Sequence, residues 1–222
     1  GHIFTDVLII GAGAAGLRAA LAAAERCRVH VLTKGEIVVS NTYDAQGGVA
    51  AVLDPADDIE SHVADTLDCA AGLADAGVVR RVVGSAGEAI REVVDWGLPV
   101  DREADGRIAL GREGGHSADR VVHAHGDATG QHLAETLLCR VAEHENIKVF
   151  DHCFVVDLVT DPPDGGPVIG AVTFHPRYGL QMIWSRQTIL AAGGAGRLWR
   201  ETTNPPSATA DAAAMAFRAG CA

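Results

Sequence analysis

Cysteine is too sparse and too badly spaced in this 222-residue chain to build a metal or disulfide framework. The five cysteines stand at 27, 69, 139, 153 and 221, none in a C-x-x-C pair, and their number is odd. That pattern argues against a zinc site and against paired bridges. Free thiols in a reducing, cytoplasmic setting are the expected state. Aromatic residues are few, at 5%, while apolar residues reach 48%, so the core must be built from Ala, Val, Leu and Ile. Positive charge is in deficit, with 18 Lys and Arg against 29 Asp and Glu and a net charge of −11. No basic stripe is present, so nucleic acid is not an expected partner. Long apolar runs are missing too. The one near the start is broken by glycines and followed by Arg18, which reads as strand then helix, not as a signal peptide or a membrane span. His123 and His125 form an H-x-H pair, too little to predict a metal.

What is present begins with DVLII at 6–10, an apolar run without helical period. It ends in GAGAAG, residues 11–16, and an alanine-rich stretch at 14–26 follows that should be helical. CRVHVLTK at 27–34 is a second strand rich in β-branched residues. Together they make a β-α-β unit. Apolar residues at helical spacing predict helices over 59–71, 78–94 and 130–143. Positions 78, 79, 82, 83, 86, 89, 90, 93 and 94 form the strongest stripe, ended by Gly97 and Pro99. From 147 the pattern changes. IKVF, CFVVDLVT, VIGAVTF and LQMIWS, separated by turn signals at 162–166 and 177–179, read as an antiparallel meander. RQTILAAGGAG at 186–196 then returns to a buried strand that ends in glycines, and 208–220 is helical. The expected class is α/β: a Rossmann-like domain with a parallel sheet, a meander and flanking helices.

GAGAAG is G-x-G-x-x-G placed after a strand and opening a helix. Gly11 makes the tight turn, Gly13 lets a pyrophosphate approach the backbone, and Gly16 lets helix and strand pack closely. The helix N-terminus then faces the phosphates, with Ala12, Ala14 and Ala15 as further cofactor-binding positions of the turn. The acid that usually binds ribose is missing. Thr33-Lys34-Gly35 stands where Asp or Glu would end the second strand, and a hydroxyl cannot take both ribose hydroxyls as a carboxylate can. This argues against a plain NAD site. A meander between two parallel-strand segments points instead towards a two-dinucleotide-fold flavoprotein.

Five further stretches follow in order: SNTYDAQGG at 40–48, REGGHS at 112–117, HAHGDATG at 123–130, AAGGAG at 191–196 and TTNP at 202–205. In this order and spacing the set resembles the L-aspartate oxidase family, part of the succinate dehydrogenase/fumarate reductase flavoprotein superfamily, over essentially the whole chain. The resemblance implies FAD as cofactor. It places FAD on Gly11 to Gly16, Thr33, Lys34, Asn41, Thr42, Ala45, Gln46, Gly47, Gly48, Ala192, Gly193 and Asp211. Gly47 and Gly48 would offer bare backbone to the isoalloxazine ring, and Asn41, Thr42 and Gln46 would offer hydrogen bonds. Succinate dehydrogenases carry a flavin-attaching histidine where this chain has Asn41, so non-covalent FAD is expected. Ala212 stands where the family usually has glycine after Asp211, which sets a methyl where close approach is expected.

The same resemblance gives Glu113 the role of the acidic residue facing the substrate ammonium, the group by which L-aspartate differs from succinate. It makes His116 and Ser117 partners of a substrate carboxylate. His123, Asp127 and Thr129 are expected to be structural, with Asp127 capping the helix that begins near 130. The implied reaction is oxidation of L-aspartate to iminoaspartate with oxygen or fumarate as acceptor, towards quinolinate and NAD, with quinolinate synthase downstream. In the family an HPT segment, an active-site arginine and a further histidine come after the equivalent of Ala222, much of this on a capping domain. Residues 1–222 are therefore expected to be the N-terminal part of an FAD-binding domain, C-terminally incomplete and with little or no turnover by itself. Two other readings stay open: a fumarate reductase or succinate dehydrogenase type flavoprotein, and a non-catalytic nucleotide-binding fragment.

Overall fold

The computed structural model describes residues 1–163 and 165–221. Strand β1 (His2–Ile10) runs into the glycine turn, and its last three residues are buried. Helix α1 (Ala14–Ala24) lays Gly16, Leu17, Ala20 and Ala24 inward; small residues at this spacing let a helix approach a sheet closely. Strand β2 (Val29–Leu32) is buried at all four positions, as a strand covered on both faces must be. It pairs parallel to β1, from Val7 opposite Val29 to Ile10 opposite Leu32.

After β3 (Val49–Ala50), α2 (Ile59–Cys69), α3 (Ala76–Asp95), β4 (Leu110–Gly111), β5 (Val121–Val122) and α4 (Thr129–Ala142), the chain continues through β6 (Ile147–Phe150), β7 (Phe154–Thr160), β8 (Val168–His175), β9 (Gly179–Leu190) and α5 (Asp211–Arg218). The large sheet has the order β6-β2-β1-β9-β8-β7. β6 pairs parallel to β2, so IKVF belongs to the parallel sheet and not to the meander expected from sequence. A helix precedes it, and a strand reached through a helical crossover returns parallel. The meander proper is β7-β8-β9, antiparallel throughout.

LQMIWS and RQTIL, expected as two strands, are one continuous strand of 12 residues. β9 is antiparallel to β8 on one edge and parallel to β1 on the other, from His2 opposite Met182 to Ile10 opposite Leu190. Neither Gly nor Pro interrupts Leu180 to Leu190, so nothing breaks it. Of the turn signal at 162–166, residue 164 lies outside the described residues, as does residue 222.

The chain divides into two compact units, Gly1–Asp44 with Leu137–Ala222, and Ala45–Thr136. The first holds the large sheet, with a core that includes Leu8, Ile10, Leu32, Cys153, Ala171, Ile183 and Met215. The second holds an antiparallel sheet of order β3-β5-β4 and a core of Ala51, Ile90, Val93, Leu98, Val100, Val122 and Ala124. Its helices α2 and α3 start on side-chain caps. Asp58 accepts from the Ser61 N–H and Asp75 from the Val78 N–H, each at 2.9 Å, which satisfies donors that a helix start leaves open. Gly97, at φ +105°, follows the α3 cap as the sequence suggests. Only part of the α3 stripe is core: Val83, Ile90 and Val93 are buried, whereas Val78 and Val82 are 55% and 61% exposed.

Candidate functional site

The first unit's cleft opens beside the glycine turn after β1. β1 ends at Ile10, and Gly11 turns the chain at φ +114°. A Cβ on Gly11 would stand 2.2 Å from the Ala191 carbonyl oxygen, and one on Gly16 would stand 1.9 Å from that of Gly11. Both glycines are thus required by packing between β1, α1 and the end of β9. Gly13 differs. A Cβ there would meet only Thr42 Oγ1, at 3.3 Å, so its bareness keeps the cleft open. Gly13 is also the N-cap of α1 and has no capping side chain, which leaves helix N–H groups for an anion. The Ala14 N–H donates to Thr42 Oγ1 at 3.0 Å.

Gly11, Ala12, Gly13, Ala14, Ala15, Thr33, Lys34, Asn41, Thr42, Ala192, Gly193 and Asp211 line this cleft, while Gly16 sits behind it. Lys34 Nζ donates to Asp211 and to Thr209 Oγ1, and Thr209 Oγ1 donates to Asp211 at 2.9 Å. Burial alone pushes the Asp211 carboxyl up, but the bonds from Lys34 and Thr209 outweigh it and hold the group below its usual range. Ala212 is buried in the core cluster with Met215 and is not among the residues that line the cleft.

The second unit's cavity is lined by side chains, Gln46, Asp101, Glu113, His123 and Asp127, with Gly47, Gly111 and Gly126 between them. Glu113 Oε1 is 2.9 Å from His123 Nε2 and 3.4 Å from the donating Gly48 N–H. The His123 bond first, then the Gly48 N–H, hold the Glu113 carboxyl below its usual range. Ala45 is fixed by its carbonyl, which accepts from the Gly130 N–H at 3.0 Å. Gly48 is bare for an internal reason: a Cβ there would come within 2.5 Å of the Val122 carbonyl oxygen. Asp127 makes no capping bond among the described residues; Thr129 Oγ1 instead accepts from the Ala124 N–H at 3.1 Å.

His116 and Ser117 are placed differently from Glu113. The Ser117 N–H and hydroxyl both donate to Asp65 Oδ2, at 2.8 and 2.7 Å. The His116 ring meets the His62 ring edge-on at 5.5 Å, and its buried Nδ1 has no partner among the described residues. Behind Ser117 lies a cluster that sequence reasoning missed. Arg120, fully buried, forks onto Asp57 at 2.7 and 2.9 Å and reaches Asp65 at 2.6 Å. The Ser117 bonds, followed by Arg120, hold the Asp65 carboxyl down to about 2. No local signal marks this cluster, because Arg120 lies 63 and 55 positions from its partners. His123 was visible in HAHGD but offered no sign of its contact with Glu113. Among the described residues, no group of three His, Cys, Asp or Glu is placed to hold a metal. No described helix is long and apolar enough to cross a membrane.

The FAD binding domain family matches residues 6–222. The chain belongs to that family. Its cofactor is FAD, and the cleft fits it: a bare Gly13, an uncapped α1 N-terminus, and a cation and a carboxylate at Lys34 and Asp211. L-aspartate oxidase 2-a of Nicotiana tabacum is 45% identical over 97% of the chain, which covers 34% of that protein. L-aspartate oxidase of Yersinia pestis is 42% identical over 99% of the chain and 43% of its own length. Among solved structures, E. coli quinol fumarate reductase FrdA matches with a TM-score of 0.92 at 34% identity, over 97% of the chain and 37% of its own. The chain therefore spans from a third to about two-fifths of these relatives.

Proposed function

We propose that the chain is part of an FAD-dependent enzyme that oxidises L-aspartate to iminoaspartate. The first unit holds the dinucleotide through Gly13, the α1 N-terminus, Thr33, Lys34, Asn41, Thr42, Ala192, Gly193 and Asp211. Ala45, Gln46, Gly47 and Gly48 are assigned to the flavin by resemblance. FAD, when bound, supplies the two-electron acceptor, with oxygen or fumarate as the final acceptor. A carboxamide at Asn41 lacks the imidazole nucleophile, so FAD is held without a covalent bond. The product would be consumed by quinolinate synthase, in a reducing cytoplasm that suits five free cysteines.

The observation that carries the reading is Glu113. It is ionised, it faces a cavity, and among the described residues both hydrogen bonds to its carboxylate use Oε1. Oε2 is left to receive an ammonium, the one group that separates L-aspartate from succinate. His116 and Ser117 are assigned to a substrate carboxylate, although Ser117 is already engaged by Asp65. Likeness to fumarate reductase favours a second reading, succinate or fumarate as substrate, and Glu113 argues against it.

The test is flavin reduction by L-aspartate and by succinate in the FAD-loaded full-length protein. L-aspartate should reduce the flavin and succinate should not. Glu113→Gln should raise KM for L-aspartate about 10- to 100-fold, the worth of one hydrogen bond to a charged group. Equal reduction by both acids, or an unaffected variant, overturns the reading.

A further inference from the structure

We infer that His123 is a positioning residue that aims the Glu113 carboxylate at the substrate ammonium. This inference rests on the ammonium role proposed for Glu113. Three features of the second unit support it.

The first is the bond itself. An ionised carboxylate can only accept, so His123 Nε2 donates to Oε1 across 2.9 Å. The Gly48 N–H adds a second donor to the same oxygen. Two donors on one oxygen fix the plane of the carboxylate and leave Oε2 directed elsewhere.

The second is the slot around the ring. A Cβ on Gly48 would stand 2.9 Å from His123 Nε2, and one on Gly111 would stand 3.1 Å from Cε1. The imidazole therefore fits between two bare backbones, which restricts its tilt.

The third is the scaffold. β4 pairs antiparallel to β5, with Gly111 opposite Val121. Glu113 follows the end of β4 by two residues and His123 follows β5 directly, so the ladder sets their separation. The Asp101 N–H donates to the His123 carbonyl at 2.9 Å and pins its backbone. A histidine that only filled the core would need neither a carboxylate partner nor a cavity wall, and His123 has both.

The test uses the FAD-loaded full-length protein and reads KM for L-aspartate beside the inhibition constant of succinate, which has no ammonium. His123→Leu should raise KM for L-aspartate about tenfold, the effect of a misaimed charge-assisted bond. The succinate constant should change less than about twofold, and His123→Gln, which keeps an N–H donor near the Nε2 position, should recover most of the loss. Equal weakening of both ligands, or failure of His123→Gln to recover, overturns the positioning role. A wild-type protein without preference for L-aspartate would overturn the Glu113 reading itself, whereas a preference that His123→Leu leaves intact overturns only the inference. If His123→Leu does not fold, NMR of imidazole nitrogens still decides the pairing. The His123 Nε2–H signal should move in Glu113→Gln, and an unmoved signal overturns the inference.

Discussion

The two cavities are built by opposite means. In the first unit the decisive atoms are main-chain atoms, and what matters is that Gly11, Gly13 and Gly16 carry no side chain. In the second unit the cavity's decisive atoms are side-chain atoms, Glu113 with His123, and the buried cluster of Arg120 with Asp57 and Asp65 stands outside its lining. The glycine turn of the first site is laid down by residues adjacent in the chain. A side-chain site is assembled from residues ten to sixty positions apart, and it stands or falls on pairs.

Gly11→Ala should break the first arrangement most severely. The new methyl lies 2.2 Å from a carbonyl oxygen at φ +114°. Strain and overpacking together amount to about 4 kcal/mol. Urea unfolding should register that loss, and bound flavin should disappear with it. Gly13→Ala sharpens the point. Its methyl meets only Thr42 Oγ1 at 3.3 Å, so stability should hold while FAD affinity, read from visible flavin absorbance, falls. Equal destabilisation by both variants would remove the distinction between the packing glycines and the ligand-facing one.

Arg120→Met comes next, at about 3 kcal/mol, because it leaves the Asp57 carboxylate without its forked partner beside a buried position. Chemical denaturation would show it. The pH dependence follows from the same cluster. Burial pushes the Asp57 carboxyl up, but the Arg120 bonds and charge outweigh it and the group stays lowered; Asp65 is held at about 2, first by Ser117 and then by Arg120. Carboxylates lowered in the folded state add stability above their unfolded pKa near ~4, and that stability is lost as pH falls through the folded value. The wild-type protein should therefore weaken between about pH 4 and pH 2. Arg120→Met should lose only the share of that acid sensitivity that Arg120 supplies, since the Ser117 bonds to Asp65 remain, and an unchanged acid profile would show that Arg120 supplies none of it.

The same contrast explains what could be read before the structure. The β-α-β unit and GAGAAG were legible because strand, turn and helix are contiguous, although what forbids a side chain on Gly11 is Ala191, far along the chain. The three-stranded sheet of the second unit was not, since strands of two residues carry no period-2 alternation. The spacing on α3 announced a helix with an apolar face, but spacing cannot say what covers that face, and Val78 and Val82 are left exposed. β9 was divided in two because polar residues at Arg186 and Gln187 imitate a boundary, although polarity alone does not end a strand. The Glu113–His123 and Arg120–Asp57–Asp65 pairs needed coordinates. One assignment was refined: Gly48 looked bare for the flavin's sake, yet β5 already forbids a side chain there.

The smallest expected effect tests the slot around His123. Gly111 has no positive φ, so alanine there carries no backbone strain, and only the 3.1 Å approach to His123 Cε1 is tight. A shift of a few tenths of an ångström by the ring would relieve it, at little cost in stability. The Glu113 carboxylate follows the ring through the Nε2 bond, so aim should suffer where folding does not. Gly111→Ala is expected to leave thermal unfolding unchanged and to raise KM for L-aspartate about two- to threefold, the fraction of a hydrogen bond lost to imperfect geometry. In a His123→Leu background the same change should add almost nothing, because no imidazole remains to be pushed. Additive effects of the two substitutions would mean that Gly111 acts on the cavity by its own bulk, and the ring would lose its place as the link between β5 and Glu113.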